Sequence, residues 1–301
     1  ACAGLPHHPD LPPTTAITSA EAAETPLGKI ALASLPPGTP NPPNGPATDS
    51  GFHLLPVGPS ALDARLALME RAEKTIDAQY YLVQKDGAGL AFLHALRVAA
   101  ERGVRVRLLV DDLFTAESET VLRAMATVPH VEVRLFNSFV NGRGNNLGRL
   151  LGAVGDLDRV NHRMHNKLLI ADGLFAVAGG RNISDEYFML NMSSNFVDMD
   201  AFVAGAVIAQ LQGIFDQYWN SEVVRPVQAI VPAAVPAAQA AAEFERISAV
   251  DHAPPALPPV DALGYGPIGE DLQDGRVGLI WAPARAFADP PDKLHSMSPE
   301  E

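Results

Sequence analysis

The chain has 301 residues, 47% of them apolar and 6% aromatic, with a formal net charge of -13. That length accommodates one sizeable domain or two small ones around a real core. The acidic balance argues against a general nucleic-acid binder, which neutralises phosphates with a basic face. It leaves room for a local cationic pocket, because Arg134, Arg143, Arg149, Arg159, Arg163 and Lys167 fall in one segment opposed only by Glu132, Asp156 and Asp158. A phosphate-bearing substrate held at one point suits such a pocket, and solvated surface arginines are the alternative.

The only cysteine is Cys2, so no internal disulfide forms. The opening Ala1-Cys2-Ala3-Gly4 looks like the cleavage point of a bacterial lipoprotein signal with Cys2 as the lipidated residue; a stray cysteine near a frayed end is the other reading. Lipidation would place the protein on the periplasmic side of a bacterial cell envelope. No stretch approaches the roughly 20 apolar residues of a spanning helix. Residues 1–50 are Pro-rich and poor in bulky apolar side chains, and read as an extended arm.

Order is expected from 52, with a strand over 52–57 and a helix over 61–74 capped by Ser60. Strand formers fill 75–83, a helix over 87–102 stops at Gly103, and 104–110 alternates Val and Arg before becoming wholly apolar. A helix over 117–125, a strand over 131–136 and a Gly/Asn-rich loop over 141–155 follow. Strands over 164–171 and 174–178 flank a tight Asp172-Gly173 turn and read as a hairpin. A strand over 199–203 and a helix over 206–219 close the lobe. The rhythm is that of an α/β layered fold, a mixed sheet flanked by helices. The lobe spans 51–225; 226–275 is an Ala/Pro-rich connector with one short helix near 238–247; 276–301, with a strand over 277–281, reads as the start of a second lobe.

The chemistry sits in Met164-His165-Asn166-Lys167-Leu168-Leu169-Ile170-Ala171-Asp172. On a strand His165 and Lys167 share one face, while Leu168 and Ile170 face the other way into apolar packing. A cation beside a histidine lowers its pKa and favours the neutral imidazole that a nucleophile or base requires. Further on, Gly179-Gly180 lets the backbone turn tightly, and Asn182 presents an amide. Lys167 and Asn182 then hold two phosphate oxygens while His165 attacks.

His165-x-Lys167-x4-Asp172, six residues, and Gly179-Gly180-x-Asn182 resembles the HKD motif of the phospholipase D superfamily. The longer string Arg163-Met-His-Asn-Lys, with Gly-Gly-Arg-Asn-Ile-Ser-Asp-Glu-Tyr-Phe188, looks more specifically like bacterial cardiolipin synthases of the C type. The likeness runs from about Phe52 to Val224, with a weaker echo over 277–292. It implies a phosphohistidine at His165, phosphate binding by Lys167, Asn182 and the Gly179, Gly180 and Ser184 turn, and no cofactor or metal. Asp172 is either catalytic or a structural acid of the hairpin. An acid that orients the histidine is sought in Asp198 and Asp200, with Asp200 preferred. Gln79 and Tyr81 line the pocket or pack in the core; Asp111 and Asp112 read as helix-cap and loop acids, and His162 as a loop residue.

Such synthases carry two motifs, the second histidine protonating the leaving alcohol, a contribution of about 10²–10⁴-fold. This chain shows one: His252 and His295 are not followed by His-x-Lys spacing. The second lobe then lies downstream, or two copies pair through His165. The expected substrate is an anionic phospholipid at a membrane surface. A homodimeric phosphodiesterase or nuclease, or an inactive lipid-binding half, are the alternatives.

Overall fold

The structure is a computed structural model that describes residues 13–39, 49–139, 143, 148–149, 163–248 and 257–291. In chain order these hold α1 (Ser19–Ala23), α2 (Pro26–Ala33), β1 (Asp49–Leu55), α3 (Gly58–Arg71), β2 (Thr75–Tyr80), α4 (Gly87–Glu101), β3 (Arg105–Asp111), α5 (Glu119–Met125), β4 (Val131–Phe136), β5 (Leu168–Ala171), β6 (Phe175–Gly179) and β7 (Asp200–Gly205). The helix Val207–Trp219, β8 (Val224–Pro226), the helices Val227–Ile230, Ala237–Ser248 and Ile268–Gln273, and β9 (Ile280–Pro283) complete them.

All nine strands join one mixed sheet in the order β8-β4-β3-β2-β5-β6-β7-β1-β9. β2, β3 and β4 are mutually parallel, joined by crossover helices α4 and α5; the other pairings are antiparallel. Alternate residues of β5 serve two cores, as a two-residue period requires. Leu169 and Ala171 pack with α3 and α4, whereas Leu168 and Ile170 pack with Phe215 and Trp219 of the helix Val207–Trp219. The sheet is thus covered on both faces, which is why β2 and β5 read as buried runs. The sequence expectation of a mixed α/β lobe holds.

Several expected boundaries move. α3 begins at Gly58 rather than 61, with Pro59 in its first turn and Val57 at the N-cap; Ser60 lies inside the helix and makes no cap bond. β8, unforeseen in the sequence, pairs with β4. The extended arm does not hold for 13–39. Thr18 and Glu21 form a capping box, Thr25 caps α2, and Leu27 and Ile30 enter the core. Thr14 is bound too: its carbonyl accepts from Arg107 Nη1 at 2.9 Å and its hydroxyl from Trp219 Nε1 at 2.9 Å. The connector likewise packs, burying Phe244 of the helix Ala237–Ser248. β9 pairs antiparallel with β1, so this strand belongs to the same sheet instead of opening a second lobe. It covers the edge of β1 that β7 leaves open. Cys2, His162, Arg159 and most of the 141–155 loop lie outside the described residues.

Leu27→Ala tests the docked segment. Deleting this fully buried side chain is expected to lower unfolding stability by about 2–5 kcal/mol in urea denaturation. An unchanged midpoint would mean that α2 contributes nothing to the fold.

Candidate active site

The C-terminal ends of β2, β3 and β6 meet the N-terminal ends of β5 and β7 along one edge of the sheet, because β5 and β7 run against their neighbours. Tyr81, Asp111, the segment before β5, the turn after β6 and Asp198 therefore converge there. Sites in open α/β sheets form at such strand ends.

Asp111 pins the segment that carries the histidine. Its Oδ2 accepts from the Met164 amide at 2.9 Å, and its Oδ1 accepts from Arg163 Nη1 at 3.0 Å and from the Leu113 amide at 2.9 Å. Met164 itself is buried in the core. Burial dominates at Asp111 and raises its pKa to about 6 despite Arg163. Nothing in the sequence but its place at the end of a strand pointed to this acid.

Anchored one residue later, His165 is exposed, with its ring edge-on to Tyr81 at 5.0 Å between centroids. Lys167 is only 5% exposed; its Nζ donates to the His165 carbonyl at 2.6 Å and lies 5.3 Å from the Tyr81 ring centre. Burial, ahead of Asp198, Asp111 and Asp200, decides the Lys167 pKa and brings it down to about 8. Partial burial and then the Lys167 charge lower the His165 pKa, and Asp198 opposes them. The imidazole is thereby biased toward its neutral form beside an ammonium with no carboxylate within 4.0 Å among the described residues, an arrangement suited to attack on an anionic phosphorus centre.

The six-cation cluster of the sequence resolves differently. Arg143 and Arg149 both pair with Asp112 and Glu119, Arg163 with Asp111, and Arg134 with Glu132. These arginines brace the loops. Lys167 is the member of the cluster that has no carboxylate within 4.0 Å among the described residues.

Gly179 is required by space, because a Cβ there would run into the backbone of Asp200 and Met199, whereas one on Gly180 would meet only the Asp198 carboxylate. Their amides donate to the carbonyls of Lys167 at 3.3 Å and Met199 at 3.1 Å, which fixes the turn beside the Lys167 backbone. Asn182 borders the cleft next to Tyr81, but its amide is engaged: Oδ1 accepts from Leu82 N at 3.2 Å and Nδ2 donates to Tyr187 Oη at 3.0 Å. Ser184 is fully buried, with no hydroxyl partner among the described residues, and does not line that cleft.

The two other acids fall elsewhere than expected. Asp172 lies at the far end of β5 from His165, where its carboxylate accepts the amides of Glu73, Lys74 and Thr75 at 2.8–3.0 Å. It clamps the start of β2 to the β5–β6 turn and stands apart from the reacting edge. Asp200 is equally buried and ion-paired with Arg65 at 3.1 Å and Arg181 at 3.3 Å. Its hydrogen bonds go to these arginines and the Arg181 amide, none to His165. Asp198 is the acid whose charge reaches both His165 and Lys167. Gln79 is buried in β2 rather than lining the cleft, whereas Tyr81 does line it. A cavity of about 750 Å³ between α3, α4 and the segment 257–273 shares no residue with this edge; it lacks the converging strand ends that define the site.

Residues 66–219 match a protein family described as "Cardiolipin synthase, PLD-like domain". With His165 and Lys167 of its HKD motif together at one sheet edge and Asp172 closing the far end of β5, the chain belongs to this family of the phospholipase D superfamily. It is 37% identical to "Cardiolipin synthase C" of Escherichia coli (strain K12) over 256 residues, 83% of this chain and 53% of that protein. It is 29% identical to "Cardiolipin synthase 1" of Staphylococcus aureus (strain MRSA252) over 170 residues, 56% and 33% of the two lengths. Among solved structures, phosphatidylserine synthase of Haemophilus influenzae Rd KW20 aligns with a TM-score of 0.45 at 15% identity, over 65% of this chain and 42% of that one. The chain spans about half the length, or less, of the curated relatives it matches.

Two substitutions separate the acids. Asp200→Ala leaves two buried guanidinium groups without their carboxylate and is expected to cost about 3–5 kcal/mol in chemical denaturation. Asp198→Asn is expected to leave the unfolding midpoint within experimental scatter but to lower the His165 pKa in an NMR titration, because it removes the charge that raises it.

Proposed function

We propose that the chain supplies half of a phospholipase D-type site that exchanges the headgroup alcohol of an anionic phospholipid, as a cardiolipin synthase does. The observation that carries the reading is the exposed, neutral-leaning His165 beside the desolvated and unpaired Lys167. An imidazole nitrogen of His165 donates its lone pair to phosphorus, and the bond from phosphorus to the headgroup oxygen breaks. The leaving alkoxide takes a proton from a general acid. The phosphatidyl group stays on His165 until a second alcohol, or water, gives up its proton and attacks phosphorus, restoring the imidazole. Lys167 offsets charge on a non-bridging oxygen; removing such a preorganised group typically costs about 10²–10³-fold. Asp111 and Asp198 act through others, the first by fixing the Met164 amide and the second by tuning the pair.

The proton donor is assigned to a second HKD lobe, from the rest of a longer protein or from a second copy of this chain. A bilayer substrate fits the rim of the site, where Met192 and Val197 are almost fully exposed and Phe196 half exposed. Glu117 and Glu186 border the cleft and offer acceptors to the hydroxyls of a glycerol headgroup. Placement on the envelope and lipidation at Cys2 are part of the same proposal. Among the described residues no helix is long and apolar enough to cross a membrane.

Turnover of phosphatidylglycerol vesicles, read by lipid mass spectrometry, is expected from the wild type and reduced roughly 10³-fold or more in His165→Ala. Absence of product from both proteins would leave a half-site that requires its second lobe. The pH profile provides a second check. His165 works neutral and Lys167 works charged, so activity rises through a histidine pKa below the ordinary value of 6.5 and falls as pH passes about 8. Lys167→Arg is expected to abolish that alkaline fall, since guanidinium stays protonated.

A further inference from the structure

A cleft of about 300 Å³ is bordered by Tyr81, whose ring packs against His165, and by Asn182, Tyr187 and Lys85. Lys85 also borders a second cleft of about 520 Å³ between α5 and the helix Ala237–Ser248. The two adjoin along α5 and the residues before it: Glu117 and Ser118 line the first, Thr120 and Val121 the second. Small apolar side chains make the second cleft, among them Ala124, Ala234, Val235, Ala240 and Ala242, with Phe244 at its base. The alanine-rich connector thus leaves an open trough where larger residues would fill it.

The charged groups of the trough are engaged, with one exception. Arg123 donates to the carbonyls of Gln228 at 3.2 Å and Val231 at 2.7 Å, and Arg246 pairs with Glu243 at 2.7 Å. Lys85 is exposed, influences Glu243 through space, and has no hydrogen bond or ion pair among the described residues. From His165 outward the order is therefore phosphate site, free ammonium, apolar trough. That is the order of groups along a phospholipid.

We propose that this trough receives an acyl chain of the lipid whose phosphate lies at His165, with Lys85 at the junction between polar and apolar parts. The inference rests on the phosphate site described above. A volume of this size, lined by more apolar than polar side chains, is typical of small-ligand sites. A peptide would bring main-chain N–H and C=O groups against methyl walls whose charged neighbours are already paired; a hydrocarbon chain brings no polar group to satisfy.

The test compares decyl phosphate with methyl phosphate binding to the whole chain by isothermal titration and NMR shift mapping. The decyl ester is expected to bind at least about tenfold tighter, since each buried methylene adds to affinity. Ala240→Trp fills the trough and Val235→Glu, at a position 39% exposed and therefore tolerant, places a charge in it. Each is expected to abolish the decyl advantage and leave methyl phosphate binding unchanged. Equal affinity of the two esters, or a decyl advantage that survives both substitutions, overturns the proposal. Lys167→Ala separates the two readings. If the trough variants weaken decyl phosphate while Lys167→Ala does not, the acyl trough stands and the phosphate assignment fails.

Discussion

One buried carboxylate organises the reacting edge. Asp200 sits between the guanidinium groups of Arg65 and Arg181, and each arginine ties it to a different element. Arg65 also donates to the Ala61 carbonyl of α3 and the Tyr80 hydroxyl of β2, and Arg181 to the carbonyls of Leu55, which ends β1, and Pro56, which follows it. Burying three charges costs desolvation free energy that attraction offsets only when most of the remaining hydrogen bonds are made; here all but Arg181 Nε are. The result is a rigid corner in which the glycine turn has one available path, and Lys167 follows from it.

The site is built from the ends of strands separated widely in sequence. His165 owes its position to Asp111 on β3, its neighbouring ring to Tyr81 after β2, and its electrostatic balance to Lys167 and Asp198. No single segment contains this set. Its precision comes from the sheet, covered on both faces, so that the strand ends cannot shift independently.

What the sequence made legible was local. The Asp172-Gly173 turn and the crossover rhythm of β2 to β4 follow from short-range pattern, and the mixed sheet with its helices appears as expected; His165 and Lys167, expected on a strand, lie just ahead of β5 instead. Pairings between distant residues were not legible. The basic residues from 134 to 167 give no sign that Asp111, some fifty positions earlier, pairs with Arg163, or that Asp112 pairs with Arg143 and Arg149. Asp198 and Asp200 look equivalent on one strand face until Arg65 and Arg181 claim the second. Proline density suggested an open arm at 13–39, yet two capped turns and the apolar pair Leu27 and Ile30 suffice to dock it. Composition averages over such details, and a few buried groups outweigh it.

The place of β1 carries a consequence for synthesis. Ser50 pairs with Gly205, and Phe52 with both Val203 and Ile280. A ribosome adding about 5–20 residues per second needs roughly 8–30 s to make the intervening 155 residues from Ser50 to Gly205. Throughout that interval the first strand has emerged without its hydrogen-bonding neighbours, while β2, β3 and β4 can already associate through their crossover helices. The nascent chain therefore presents an unpaired strand to its surroundings for many seconds, a window in which a holdase chaperone has work to do.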